Sequence, residues 1–453
     1  MKTKLAVIGL AALLGLAPLV AAAQEISDID RLARQAVSPD AERRQDALRI
    51  VEDRGKTDVV AALINGLRFT RDSMPLAETL RTLTGAPVHG DDWNDWMLWQ
   101  EGHPEIKPFD GFDGFKADLL AQIDPRYRTM VRRGVKHTIR LEEITWGGVP
   151  ALDGIPSLDY PAHVTPAEAT YITPDELIFG VVINGDVRAY PLRFMDWHEM
   201  FNDRIGGKHV TLAYCTLCGS GILFDSTVAP RTKPFRFGSS GLLYRSNKLM
   251  YDHGTKSLWN QFTGRPVVGP LAGAGIELKV LPVAITSWKK WLDRHPATKV
   301  LSENTGYQRD YSPGRPYADY FSSDKLMFPA LVRDGRLKAK DYVFAARAFG
   351  AEKAWPITKF KGGKVINDTL GEHQVVLIGD AASRTVRAYK RDGLKFEKSA
   401  ADLSRIKTAM GDWRVDEDAL VGTDGTKLPR VAGHIAYWFA WQGYKPQAAF
   451  GGG

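Results

Sequence analysis

An internal repeat constrains the fold of this chain more than any other feature of its sequence. The stretch G-D-V-R-A-Y-P-L, which runs on to F-N-D-R-I-G-G-K-H-V-T-L, returns as G-A-E-K-A-W-P-I, which runs on to I-N-D-T-L-G-E-H-Q-V-V-L. An offset of 165 residues relates four matched sites, which are Pro191 and Pro356, Asn202-Asp203 and Asn367-Asp368, Val210 and Val375, and Phe224 and Tyr389. An offset of 150 relates Trp288, Trp291 and Pro296 to Trp438, Trp441 and Pro446. The repeat predicts a tandem duplication, with copy one over residues 171–300 and copy two over residues 341–449.

Strand and turn signals within copy one predict the fold class. Two β-like runs over residues 178–183 and 187–191 meet at Asn184-Gly185, which is typical of a tight hairpin. We expect a short helix over residues 196–205 and a strand over residues 210–214 that ends directly on Cys215. The predicted fold class is α+β, with an internally duplicated, β-rich domain that contains short helices.

The region before the repeat has a different character. In residues 24–100, Ser38-Pro39 is typical of a helix start, and apolar residues then recur at helical spacing. Short helices with short breaks predict a small all-α module, loosely HEAT-like, that packs or binds a partner. Residues 101–170 are rich in proline, glycine and aspartate and predict an extended connection. Residues 301–340 form a second predicted connection, between the two copies.

The first residues predict export. Lys2 and Lys4 precede an apolar run over residues 5–20, and Ala21-Ala22-Ala23 supplies a cleavage site. We therefore expect a signal peptide over residues 1–23, a periplasmic or extracellular location, and no integral membrane segment after cleavage. Without that segment the formal charge falls from +7 to +5 and is spread along the chain, which argues against a nucleic-acid or membrane-surface partner.

The chain has two cysteines, Cys215 and Cys218, in one C-x-x-C pair. At the 165-residue offset they correspond to Asp380 and Ser383. A disulfide that the fold required would be expected in both copies. We therefore interpret the two cysteines as residues that were added to copy one for a chemical function.

Three interpretations of the pair stay open at this point. A structural disulfide would close a loop of about four residues and contribute roughly 2 kcal/mol. A thiol-dependent oxidoreductase would use the pair as a redox disulfide, with His198 as a base and Glu199 as its orienting carboxylate, and would need no cofactor. A metal-binding protein would hold one zinc or copper ion with Cys215, Cys218 and His198, completed by Asp252 or His253. We favour the oxidoreductase.

Polar, glycine-punctuated segments around the pair supply candidate substrate-binding residues. These residues are Ser220, Tyr244, Arg245, Asp252, Trp259 and Gln261. The expected partner is a small molecule or a redox protein. Because the chain has twelve tryptophans, a non-catalytic ligand- or carbohydrate-binding module is a third hypothesis. However, Trp288 and Trp291, like Trp438 and Trp441, are spaced as residues that pack a helix into a core.

Several motifs occur in a fixed order and carry a family resemblance. They are D-G-I-P at 153–156, R-A-Y-P-L at 188–192, D-W-H-E at 196–199, Y-C-T-L-C-G-S at 214–220, G-S-S-G-L-L-Y at 238–244, M-Y-D at 250–252 and S-L-W-N-Q at 257–261. Together they resemble an uncharacterised bacterial family, domain of unknown function 3179. The resemblance brings no established reaction. Relatives catalogued as candidate selenoproteins, with selenocysteine at a cysteine position, imply redox chemistry.

Overall fold

A computed structural model describes residues 28–229, 231 and 233–451. The predicted signal peptide over residues 1–23 lies outside these residues. Within the described part of the chain, no helix has both the length and the apolar character needed to cross a membrane.

The chain is a mixed α+β protein. Its described α-helices are α1 (Asp28–Ala36), α2 (Ala41–Arg54), α3 (Val60–Leu67), α4 (Met74–Thr84), α5 (Trp93–Gly102), α6 (Phe112–Ala121), α7 (Leu192–His198), α8 (Trp288–Arg294), α9 (Ala318–Ser322) and α10 (Trp438–Tyr444). Helix α6 lies in the segment 101–170 that was predicted to be extended, so that prediction is wrong for these ten residues. Phe112, Phe115 and Leu119 recur there at helical spacing and are buried, which stabilises a helix despite the neighbouring glycines.

Residues 144–301, here called the first half, contain fifteen of the described strands. They are β1 (Ile144–Trp146), β2 (Leu158–Asp159), β3 (His163–Val164), β4 (Leu177–Ile183), β5 (Asp186–Pro191), β6 (Met200–Ile205), β7 (Lys208–Cys215), β8 (Ser220–Asp225), β9 (Phe237–Tyr244), β10 (Asn247–Asp252), β11 (Leu258–Asn260), β12 (Arg265–Val268), β13 (Val280–Leu281), β14 (Ala284–Ser287) and β15 (Lys299–Leu301). They form three sheets with the orders β1-β9-β10-β11-β12, β13-β8-β7-β6-β2 and β14-β4-β5-β15-β3.

Residues 342–450, the second half, contain the remaining described strands. They are β16 (Tyr342–Ala348), β17 (Ala351–Pro356), β18 (Lys364–Leu370), β19 (His373–Asp380), β20 (Thr385–Lys390), β21 (Glu397–Lys398), β22 (Arg405–Thr408), β23 (Gly411–Val415), β24 (Ala419–Gly422), β25 (Lys427–Val431), β26 (Gly433–Tyr437) and β27 (Ala449–Phe450). They form two sheets with the orders β26-β16-β17-β27 and β18-β19-β20-β25-β24-β23-β22-β21.

Two sheets of the first half share their strand order with the second half. The order β14-β4-β5-β15 matches β26-β16-β17-β27. In each, two antiparallel pairings are followed by one parallel pairing, β15 on β5 and β27 on β17. The order β13-β8-β7-β6 likewise matches β25-β20-β19-β18, antiparallel throughout.

Local predictions in the first half have mixed outcomes. The hairpin at Asn184-Gly185 is confirmed, because β4 and β5 pair across a turn in which both residues have positive φ. The helix predicted over residues 196–205 is wrong. Helix α7 ends at His198, and residues 200–205 form β6 because they pair with β7 on one side and β2 on the other.

The paired tryptophans pack into the core as the spacing indicates. Trp288 and Trp291 lie on α8, their counterparts lie on α10, and all four side chains are buried. The ring of Trp291 lies directly against Gly180 of β4. A Cβ atom at Gly180 would be 2.3 Å from Trp291 Cζ3.

We therefore expect Gly180→Ala to destabilise the fold. The added methyl group would force Trp291 or β4 to shift, and overpacking of this kind costs about 1–3 kcal/mol. The urea midpoint of unfolding measures the change. Gly102→Ala is the matched control, because its Cβ would meet open space at ordinary φ and should leave the midpoint unchanged. Equal midpoints for the two variants would contradict the packing.

The N-terminal helices pack on the first half. One apolar core joins α1–α6 to strands β9–β12, through residues such as Leu242, Leu249 and Val268. Polar contacts reinforce this interface between helices and sheet. Arg245 Nε donates a 2.7 Å hydrogen bond to Glu143 Oε2, and Asn65 Nδ2 donates a 3.2 Å hydrogen bond to Glu142 O. The helices and the sheet β1-β9-β10-β11-β12 thus share one hydrophobic core.

Candidate functional site

The two cysteines form the turn between β7 and β8. Cys215 ends β7 and pairs in register with Ser220 at the start of β8. Residues 216–218 form one turn of 3₁₀ helix, and Gly219 reverses the chain with a φ of 56°. A disulfide joins Cys215 and Cys218, whose exposed fractions are 2% and 0%.

The second half and the connection between the halves cover this turn. A Cβ atom at Gly219 would lie 2.8 Å from Tyr342 Cε1. From the connection, Tyr320 donates a 2.6 Å hydrogen bond to Leu217 O, inside the C-x-x-C loop. Cys218 Sγ lies 3.4 Å from Ser246 O. The disulfide is therefore enclosed by the Tyr342 and Tyr320 side chains and by the main chain at Ser246, which come from three parts of the chain.

A cavity of about 350 Å³, the junction cavity, lies beside the turn. Both halves and the connection contribute to its wall, which includes Asp196, Tyr214, Lys340, Tyr342, Arg384 and Tyr437. Tyr214 precedes Cys215 on β7, so the cavity reaches the cysteine strand. The Tyr342 hydroxyl donates a 3.0 Å hydrogen bond to the Tyr437 hydroxyl on the neighbouring strand β26.

Asp196 is the unusual residue of this cavity. Its side chain is buried, and among the described residues its Oδ1 atom has no hydrogen-bond partner. Burial raises the pKa of Asp196 to about 8; Tyr214, Arg384 and Thr216 partly oppose this rise, while the Glu199 carboxylate adds to it. The carboxyl group is therefore protonated at neutral pH, and a strongly raised pKa in a cavity is typical of functional sites.

A buried ion pair lies at the C-terminal end of α7. Lys248 on β10 pairs with Glu199, the residue after α7, and burial lowers the pKa of this lysine. Ser239 Oγ donates a 2.9 Å hydrogen bond to Glu199 Oε2 and lies 3.1 Å from Lys248 Nζ. Tyr214 N donates to Glu199 O at 2.7 Å, so the pair is tied directly to the cysteine strand.

His198 and Glu199 do not form the predicted base and carboxylate. His198 Nδ1 lies 2.8 Å from Pro156 O, and its Nε2 lies 2.6 Å from the Tyr311 hydroxyl. Burial lowers the pKa of His198 to about 4. Glu199 has a φ of 55°, which ends α7 and brings its carboxylate to Lys248 instead. Both ring nitrogens are thus engaged by oxygen atoms, and neither is directed to the disulfide.

The six residues predicted to bind substrate lie outside the wall of the junction cavity. Gln261 Nε2 donates to Ala213 O and Ser220 O, which holds β7 and β8 together below the turn. Trp259 Nε1 donates a 2.9 Å hydrogen bond to Asp252 Oδ2.

Tyr244 and Arg245 lie farther away, where β9 meets the N-terminal helices. Arg245 pairs with Glu143, and Tyr244 O accepts a hydrogen bond from Tyr444. All six predicted residues are therefore engaged by the protein's own groups.

The predicted metal set of Cys215, Cys218 and His198 is not assembled as a ligand cluster. The sulfur atoms are bonded to each other, and His198 contacts Pro156 and Tyr311. Within residues 28–229, 231 and 233–451, no group of three or more histidine, cysteine, aspartate or glutamate side chains is arranged to hold a metal ion.

Comparison with models of protein families gives a match. The model of a family described as a protein of unknown function, DUF3179, matches residues 152–448. The chain belongs to the DUF3179 family. No curated protein and no solved structure matches it. The DUF3179 match includes the disulfide and the whole wall of the junction cavity and leaves out α1–α6.

Sequence reasoning missed several residues of this DUF3179 site. Asp196 stands in the D-W-H-E motif two residues before His198, and histidine is the commoner catalyst. Ser239 lies within the G-S-S-G-L-L-Y motif, and Lys248 follows that motif by four residues. The lysine carried a usable signal, since a lysine between strand residues needs a buried partner. Arg384 and Tyr342 come from the second half, and no local pattern connects them to the cysteines.

Proposed function

We propose that this protein is an exported thiol–disulfide oxidoreductase whose reactive group is the Cys215–Cys218 pair. The observation that carries the proposal is the position of the disulfide. It forms the turn of a hairpin at the junction of the two halves, beside a cavity that contains a buried, protonated carboxyl group. Turns presented by a rigid scaffold are frequent sites of chemistry.

A comparison of the halves supports a chemical role over a structural one. We infer that the halves arose by duplication, on the basis of the sequence offset of 165 residues and the shared strand orders. The hairpin β19–β20 then corresponds to β7–β8, and Asp380 and Ser383 take the places of the cysteines. Ser383 Oγ donates a 2.9 Å hydrogen bond to Asp380 Oδ2. The scaffold thus forms this turn without sulfur.

The proposed reaction oxidises a dithiol. One substrate thiolate attacks Cys215 Sγ, the S–S bond breaks, and a mixed disulfide forms while Cys218 leaves as a thiolate and takes up a proton. The second substrate thiolate then attacks the substrate sulfur of the mixed disulfide, and Cys215 is released and protonated. The substrate becomes a disulfide, and the protein gains two electrons and two protons. Cys215 is assigned as the attacked sulfur because Cys218 Sγ faces Ser246 O in the core.

Access to the sulfur atoms requires the connection to move. Helix α9 is five residues long, and Tyr320 on it is buried and donates a hydrogen bond to Leu217 O. Phe321 and Met327 in the same segment are exposed apolar side chains. A short helix with part of its apolar surface exposed opens at a lower cost than the sheets do, so a substrate would enter by displacing it.

The predicted export and the N-terminal helices are consistent with this function. Export through the predicted signal peptide would place the disulfide in an oxidising compartment, where it persists. We propose α1–α6 as the HEAT-like module, which packs on the sheet of β9–β12 and offers its outer face to a partner.

The oxidation state of Cys215 and Cys218 provides a test of this function. Protein purified from its native compartment without reductant should give no alkylation by iodoacetamide in denaturant, and two alkylated thiols after reduction. Cys218→Ser should instead give one thiol under both conditions. Mass spectrometry counts the adducts, and elemental analysis of the same samples measures zinc and copper. Stoichiometric metal that is lost in Cys218→Ser would contradict the proposal and support a metal-binding protein.

A further inference from the structure

Two of the three cations in the wall of the junction cavity, Arg384 and Lys340, lack carboxylate partners at ion-pair distance among the described residues. Arg384 Nη1 donates a 2.8 Å hydrogen bond to the Tyr342 hydroxyl, and its guanidinium lies 4.2 Å from the centre of that ring. A guanidinium has five N–H donors. Within the described part of the chain, no ion pair involving Arg384 is formed.

Lys340, which lies on the connection between the halves, is likewise a cation that contacts a tyrosine ring. Its ammonium group donates to Ser323 O at 2.6 Å and to Tyr320 O, and it lies 3.7 Å from the centre of the Tyr320 ring. These acceptors are neutral, and burial lowers the pKa of Lys340. The nearest acidic influence is Asp324, which is highly exposed and pairs with Lys338 at 3.6 Å. One N–H donor of Lys340 remains for a ligand.

The other acidic groups of the cavity wall leave this positive charge in place. Glu176 pairs with Arg193 at 2.7 Å. Asp196 is protonated at neutral pH, so it adds no negative charge and its hydroxyl can donate a hydrogen bond. Besides the Arg193–Glu176 pair, the wall therefore combines two cations that lack carboxylate partners, one neutral acid and the three tyrosines Tyr214, Tyr342 and Tyr437.

A second cavity between the halves offers a comparison. It has a volume of about 260 Å³, lies beside the β19–β20 turn, and includes Lys290, Arg294 and Arg387 in its wall. There, Lys290 pairs with Asp380, and Arg387 pairs with Glu417 at 2.6 Å. Arg294 donates a hydrogen bond to Val415 O. Two of the three cations in this wall are thus paired with carboxylates, against one of three in the junction cavity.

We infer that the junction cavity binds the carboxylate of a small thiol or disulfide substrate, with Arg384 and Lys340 as the anion-binding residues. This inference names the substrate class of the proposed oxidoreductase. It rests on that function only for the claim that the substrate contains a thiol or a disulfide. Arg384 holds the carboxylate through its fork of N–H donors, and Lys340 adds a second charge. The bound anion then lies beside the strand that ends on Cys215.

The binding test uses oxidised protein and oxidised probes, so that no exchange takes place. Three disulfides share one ethylene–disulfide–ethylene core and differ in the charge of their end groups: 3,3′-dithiodipropionate has carboxylates, bis(2-hydroxyethyl) disulfide has neutral hydroxyls and cystamine has ammonium groups. Isothermal titration calorimetry should detect binding of the anionic probe alone. Arg384→Gln and Lys340→Gln should each weaken that binding at least tenfold. Lys290→Gln, in the second cavity, is the matched control and should leave the Kd unchanged.

A second arm separates this inference from the proposed function. Reduced protein is mixed with the same three probes, and its oxidation is followed by alkylation and mass spectrometry. Fastest oxidation by the anionic probe, lost in Arg384→Gln, supports the inference. Oxidation at similar rates by all three probes, or absence of dithiodipropionate binding, overturns the inference and leaves the redox function standing. Binding of the anionic probe without any oxidation overturns the redox function and leaves the anion site standing.

Discussion

Lys248→Met should destabilise the protein by about 3–5 kcal/mol. The Lys248 side chain is 3% exposed, and that of its partner Glu199 is 12% exposed. Loss of the ammonium group leaves a buried carboxylate whose remaining side-chain contact is the Ser239 hydroxyl. An uncompensated buried charge of this kind is costly, whereas the intact pair roughly offsets its own desolvation. The free energy of unfolding, measured in urea, tests the prediction.

Two control variants define the origin of that loss. Lys248→Met combined with Glu199→Gln removes both charges and should recover most of the stability. Lys289→Met breaks the exposed pair between Lys289 and Asp293 and should cost less than about 1 kcal/mol. If the double variant is as unstable as Lys248→Met, the cost arises from lost packing and the ion-pair explanation is wrong.

Asp196→Asn should change how stability depends on pH. In the unfolded chain this carboxyl group ionises with its ordinary pKa of 3.8, whereas in the folded protein its pKa is about 8. The folded state thus keeps a proton that the unfolded state releases, so wild-type stability falls as pH rises from about 4 to about 8. Linkage gives a loss of roughly 5 kcal/mol by pH 8. Asparagine cannot ionise, and the variant should lack this loss.

The measurement compares urea unfolding of wild type and variant from pH 4.5 to 8.5. We expect the variant to gain stability relative to wild type steadily with pH. Tyr214, Arg384 and Glu199 act on Asp196, and all three are retained in the variant. Asp293→Asn, at an exposed site on α8, should show a constant difference from wild type. A constant difference for Asp196→Asn as well would show that the carboxyl group is ionised in the folded protein.

The parts of the fold that sequence reasoning predicted depend on local chemistry. The hairpin at Asn184-Gly185 was predictable because few residues tolerate positive φ at both turn positions. The burial of Trp288 and Trp291 followed from their spacing. Strand β6 was misassigned in part because its pairing with β2 is non-local. Its pairing with β7 spans only the two-residue turn Gly206-Gly207, a hairpin signal that the sequence does carry.

The candidate site was predictable only in part, for the same reason. The C-x-x-C pair is visible in the sequence, but its enclosure by Tyr342 and Tyr320 depends on how the second half and the connection fold back. Adjacency in the sequence was misleading for His198 and Glu199. Helix α7 ends between them, so each reaches a different set of partners. Charge balance in a cavity formed by both halves has no sequence signature at all.

A redox titration of the folded protein tests the central claim most directly. The protein is equilibrated in glutathione and dithiothreitol buffers between about −120 and about −300 mV, the range of thiol oxidoreductases. Alkylation and mass spectrometry then count the thiols, while near-UV circular dichroism follows the fold. The account predicts a reversible two-electron transition of Cys215 and Cys218 within this range, with the fold retained. A pair that stays oxidised throughout and is reduced only after the protein unfolds would identify a structural disulfide and contradict the account.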